Sequence, residues 1–142
     1  MKVTSGVRQG CPISPLFFLL AIEPLLRKLQ KLQPDNKYRA YADDIGAVVR
    51  DLPRDIQGII DTFATFRKVS GLEINVNKTV VIPTRGDITI NKTTLTDYKN
   101  IMANTEWPNI GVAKEGKYLG FLLGMNVNRE EEYKQVIQNI HQ

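Results

Sequence analysis

Two acidic residues stand side by side at Asp43-Asp44, between short runs of apolar and β-prone residues. Carboxylates about 4 Å apart repel by roughly 4 kcal/mol at an effective dielectric near 20, a cost that a bound divalent cation reverses. Mg²⁺ is the simplest such partner. It takes carboxylate oxygens and keeps open positions for water and phosphate, which phosphoryl transfer requires. The same pair also fits a solvated turn, because Asp tolerates turn conformations. Apolar flanks on both sides weigh against that reading, since they imply a hairpin packed on a core with only its tip exposed.

Other residues carry weaker signals. Gln9-Gly10 precedes a helical segment, and glycine permits close approach of backbone to a ligand while a helix N-terminus favours phosphate; on these residues alone an ordinary loop and cap is the favoured reading. Lys78 stands between β-prone segments, as a solvated tip or as a cation beside phosphates. Cys11 is the single cysteine, so no internal disulfide forms and a reducing, intracellular compartment is expected. The lone His141 leaves no histidine-based metal site or triad.

With 142 residues, 42% hydrophobic and 24% charged, the chain is expected to be one soluble globular domain at most. A net charge of +4 leans towards a polyanionic partner, although an excess this small is also ordinary surface chemistry. No run of 18 apolar residues appears and Met1 to Gly6 lacks a signal-peptide layout, so neither a membrane span nor secretion is expected.

The elements that must position these residues follow from periodicity. Residues 6–15 read as a loop feeding a helix, with Ser14 as N-cap and Pro15 at the first helical position. The helix, 16–32, is apolar around most of its circumference and should kink at Pro24. Gln33-Pro34-Asp35-Asn36 is a turn into two strands, 38–42 and 45–49, with both acids at the hairpin tip. A second helix opens at 51–55, places Ile56, Ile59, Ile60, Phe63, Phe66 and Val69 on one face, and ends at Ser70-Gly71. Residues 72–77 and 79–82 read as a strand or hairpin around Lys78. Residues 83–116 read as irregular, with short strands at 88–90 and 110–113. Residues 117–124 read as one strand, and a last helix is capped by Asn128 with Glu131 completing a capping box.

Four motifs now fall in one order. Arg8-Gln9-Gly10-Cys11-Pro12-Ile13-Ser14-Pro15-Leu16, Tyr41-Ala42-Asp43-Asp44, Ser70-Gly71-Leu72-Glu73-Ile74-Asn75-Val76-Asn77-Lys78-Thr79 and Tyr118-Leu119-Gly120 resemble successive motifs of the reverse transcriptases of non-LTR (LINE-type) retrotransposons. The resemblance runs from about Thr4 to Gly124. It implies an α+β fold, a reverse transcriptase palm fragment whose small antiparallel sheet packs its Tyr-x-Asp-Asp hairpin against helices. Residues 1–124 would form this partial palm, and 125–142 a helix that begins a thumb or connection.

The resemblance further implies an RNA-directed DNA polymerase that uses two Mg²⁺ ions, an RNA template, a DNA primer and deoxynucleotides, with the nucleus as its family's setting. Asp43 and Asp44 would be the catalytic, metal-binding carboxylates, with Asp43 the more direct ligand. Lys78 would protonate or neutralise pyrophosphate. Arg8, Gln9 and Gly10 would sit by the incoming nucleotide and template, Tyr41 near primer or template, and Tyr118, Leu119 and Gly120 at the primer end.

One departure qualifies these expectations. The family's earlier aspartate motif would lie before Gly6, where the five residues include no acid, and the fingers are missing too. Glu73, Asp87 and Asp97 are acids without a pattern to recommend them as substitutes. The chain alone is therefore expected not to polymerise. The alternative is a nucleic-acid-binding remnant without chemistry; a metal-dependent nuclease ranks last, for want of an activating base.

Overall fold

The computed structural model describes residues 14–84 and 92–124. The expected sites at Arg8, Gln9 and Gly10, the strand at 88–90 and the final helix lie outside the described residues. The chain divides into two compact units, Met1–Ile74 and Asn75–Gln142.

In the first unit, helix α1 spans Ser14–Leu32 as one element that runs through Pro24. Ile22, Leu25 and Leu29 recur at helical spacing and are buried, on a helix that packs against helix α2, Leu52–Ser70. The expectation of a helix buried on most of its circumference is corrected. Leu16, Phe17, Leu19, Leu20 and Leu32 are exposed, so only one stripe of α1 packs within the described residues.

Helix α2 is set at both ends by local chemistry. The Asp51 side chain accepts a hydrogen bond from the Arg54 amide at 3.2 Å, satisfying one of the first-turn donors. At the other end, Gly71 adopts φ 71 and donates its amide to the Arg67 carbonyl at 2.9 Å. Ile56, Ile59 and Ile60 are buried as expected, but Val69 is 86% exposed. The apolar stripe ends before the last turn.

Strands β1 (Lys37–Tyr41) and β2 (Asp44–Val48) form an antiparallel hairpin, and β1 packs on α1. The strand bounds shift by a residue from expectation: the turn is Ala42-Asp43, while Asp44 already belongs to β2.

The second unit departs further from the sequence reading. Leu72 to Asn77 is not a strand; a 3-10 turn occupies Val76–Lys78 and is followed by the short β3, Val80–Val81. The stretch expected to be irregular contains helix α3, Lys92–Ala103. It links β3 to β4 (Gly111–Val112), and the two strands pair in parallel, so the two-stranded sheets are not all antiparallel. Among the described residues of this unit, Met102 and Ile110 are buried hydrophobic side chains. The single strand expected over 117–124 is instead a hairpin of β5 (Glu115–Tyr118) and β6 (Phe121–Gly124). Its turn residues, Leu119 and Gly120, have φ 50 and 88, the positive pair of a type I′ turn. The described fold is thus mixed α+β, with three α-helices and two-stranded sheets.

Candidate acidic hairpin site

Side chains directly opposed in an antiparallel pair share a face. Lys37, Arg39, Tyr41, Asp44, Gly46 and Val48 therefore line one side of the hairpin, and Tyr38, Ala40, Ile45 and Ala47 the other. The second side carries the buried Tyr38. The first is open, with Tyr41 65% exposed opposite Asp44.

The turn itself is strained. Ala42 has φ 49, in the left-handed region where a residue with a Cβ costs roughly 1 to 2 kcal/mol. Ladder pairing on both sides fixes the two-residue connection, so the strain is held in place. Asp43 then lies in the turn and Asp44 at the first position of β2. Both are exposed, and neither side chain is engaged in a hydrogen bond or ion pair among the described residues.

Two adjacent, uncommitted carboxylates are a chemically suitable partial ligand set for Mg²⁺, which is commonly held by one or two carboxylates with water and substrate phosphates completing its shell. Among the described residues no group of three or more His, Cys, Asp or Glu comes together.

The remaining sequence candidates fall in the second unit. Lys78 ends the 3-10 turn, whose backbone is tied down by Asn75: the Lys78 amide donates to Asn75 Oδ1 at 3.2 Å. The Lys78 side chain is exposed. Tyr118, Leu119 and Gly120 occupy the end of the β5–β6 hairpin, with Tyr118 half-buried and Leu119 exposed. The structure thus gathers Tyr41, Asp43 and Asp44 on one hairpin and Tyr118, Leu119 and Gly120 on another.

Sequence reasoning missed a buried polar cluster at the base of the acidic hairpin. Asn36 is fully buried, and Gln33, Tyr38 and Asp55 are nearly so. Asn36 Nδ2 donates to Asp55 Oδ2 at 2.9 Å, Tyr38 Oη donates to Gln33 Oε1, and Gln33 Nε2 donates to the Asp55 carbonyl at 2.7 Å. Arg54 adds a charge-assisted bond to Asp55 Oδ1 at 2.6 Å. No signal in the sequence distinguishes these residues from an ordinary polar turn and helix start.

Two members titrate in opposite senses. Hydrogen bonding from Arg54 holds the Asp55 carboxyl below the usual range, whereas burial pushes the Tyr38 phenol up. A lowered carboxylate pKa contributes stability that is present above its unfolded value and lost as pH falls through the folded one. A raised phenol pKa contributes stability that is present below about 10 and lost as pH rises through the folded value. Urea denaturation across pH should therefore show stability falling at both extremes. Asp55→Asn should flatten the acid limb and Tyr38→Phe the alkaline limb; unchanged limbs would refute these assignments.

The family described as reverse transcriptase (RNA-dependent DNA polymerase) matches residues 1–123. The Retrotransposable element SLACS 132 kDa protein of Trypanosoma brucei gambiense is 33% identical over 59% of the chain. The Retrovirus-related Pol polyprotein from type-2 retrotransposable element R2DM of Drosophila melanogaster is 28% identical over 81%. The Transposon TX1 uncharacterized 149 kDa protein of Xenopus laevis is 38% identical over 51%. The matches cover 7%, 11% and 6% of those relatives' own lengths. No solved structure matches the chain.

Proposed function

Since this chain belongs to the reverse transcriptase family and is homologous to non-LTR retrotransposon proteins, we propose that it supplies the metal-binding hairpin of a retrotransposon RNA-directed DNA polymerase. The observation that carries this reading is the pair Asp43 and Asp44, exposed and uncommitted at a strained turn. Bound there, Mg²⁺ would supply charge stabilisation for nucleotidyl transfer to a primer 3′-hydroxyl. Asp43 and Asp44 hold the ion. Tyr41, opposite Asp44, flanks template or primer, and Lys78 offers a cation to the phosphates. Tyr118, Leu119 and Gly120 form a turn against the primer end, while Arg8, Gln9 and Gly10 attend the incoming nucleotide.

Taken by itself, the 142-residue chain binds primer–template without extending it. Asp43 lies in the turn and Asp44 opens β2, and the described residues add no third carboxylate to this pair, so the two-metal arrangement needs donors from elsewhere in the polyprotein. Primer extension and binding assays on an RNA template with a DNA primer test both halves. The expected result is binding that weakens steeply between low and physiological salt, with extension only in the context of the full-length polyprotein. Mg²⁺-dependent synthesis by the isolated chain, lost in Asp43→Asn, would overturn the requirement for further donors. Absence of binding at low salt would remove the nucleic-acid reading.

A further inference from the structure

The hairpin that presents the acids is closed at its base by one side chain. Asn36 immediately precedes β1, and Arg50 lies just beyond β2; the Arg50 amide donates to Asn36 Oδ1 at 2.9 Å. The opposite end of the same amide group is anchored to the helices. Its two Nδ2 hydrogens are shared among Asp55 Oδ2 at 2.9 Å on α2, and Gln33 Oε1 and Tyr38 Oη, each at 3.2 Å. Gln30 on α1 holds the Asn36 carbonyl through its Nε2 at 2.8 Å and the Pro34 carbonyl at 3.0 Å. Gly58 leaves room for this cluster on α2: a Cβ there would stand 3.1 Å from Gln33 Nε2. No buried side-chain polar atom is left unpaired among the described residues.

A fully satisfied buried polar network specifies one arrangement, because any alternative strands a desolvated donor or acceptor. Here the arrangement fixed is that of a hairpin on two helices. We infer that Asn36 is a positioning residue for the acid pair: by joining both ends of the β1–β2 hairpin to α1 and α2, it sets where Asp43 and Asp44 are presented. The inference rests on the polymerase reading for its catalytic consequence, but its structural content stands separately. Asn36 touches neither carboxylate. It acts at the end of the hairpin remote from the turn.

Amide hydrogen exchange on the 142-residue chain separates a positioning role from general stability. Asn36→Ala should accelerate exchange of the β1 and β2 amides at least tenfold, while amides in the buried part of α1 and α2 stay within about twofold of wild type. Uniform acceleration across hairpin and helices, or none, would overturn the inference. Should Asn36→Ala fail to fold, Gln30→Leu decides. It removes the grip on the Asn36 carbonyl from a half-buried position and should also accelerate the hairpin selectively, by several-fold; an unchanged hairpin would overturn the inference. In the full-length polyprotein, Asn36→Ala should lower kcat for primer extension at least tenfold and leave KM for deoxynucleotide within about twofold; an unchanged kcat would overturn the positioning role. If the wild-type polyprotein extends no primer, the polymerase reading fails while the exchange result still decides the role of Asn36.

Discussion

If the chain serves the proposed polymerase, Asp43→Asn should abolish primer extension by the full-length polyprotein, lowering kcat by about a thousandfold or more. The substitution keeps the shape of the side chain and removes its charge, so a hard cation loses an anionic oxygen and gains only a weak amide carbonyl. Losing about 4 kcal/mol of transition-state stabilisation corresponds to three orders of magnitude, within what a metal ion contributes. The fold should survive, because Asp43 is exposed and forms no side-chain bond among the described residues. Without metal the variant should be slightly more stable, since a like-charge repulsion has gone. Asp61→Asn is the control: that exposed acid lies on α2 and its carboxylate accepts from Gln57, and its variant should extend primers normally. Equal activity of Asp43→Asn and wild type, at matched Mg²⁺, would exclude Asp43 as a ligand.

Ile60→Ala should lower stability by about 2 to 5 kcal/mol, from lost transfer energy and the cavity left behind. Ile60 is 1% exposed, on the helix that packs against α1. At roughly 4 °C per kcal/mol the melting temperature should drop by about 10 °C or more. Val69→Ala, nine residues further along the same helix, should move it by less than about 2 °C, because Val69 is 86% exposed. Thermal denaturation followed by circular dichroism compares the pair. Similar shifts in both variants would mean that the last turn of α2 is packed after all.

That contrast shows what the sequence could and could not convey. The apolar spacing of Ile56, Ile59 and Ile60 revealed the helix and its inner face, since the same period governs both. It could not reveal that packing stops before Val69, which depends on where a neighbour ends. The hairpin was legible from its flanks and the acid pair from its chemistry. The turn's one-residue offset was not, because Ala42 at φ 49 is a conformation that Ala seldom adopts. Helix α3 was hidden differently: Leu95, Tyr98, Ile101 and Met102 carry a helical period, but Thr, Asn and Lys around them read as loop. The cluster of Gln33, Asn36, Tyr38 and Asp55 lay wholly out of reach. Its bonds join residues as far as 22 positions apart, and polar residues advertise no partner at such separations.

The parallel pairing of β3 with β4 bears on the order in which the chain acquires its structure. The β1–β2 and β5–β6 hairpins close across two-residue turns and can form within microseconds of collapse. Joining Val80 to Gly111 must instead enclose about 30 residues, α3 among them, so its loop-closure entropy is spent before any ladder bond repays it. During synthesis or refolding, the acid-bearing hairpin and its helices can thus be in place while the β3–β4 edge is still open. In that interval the unpaired backbone of those short strands is open to wrong partners.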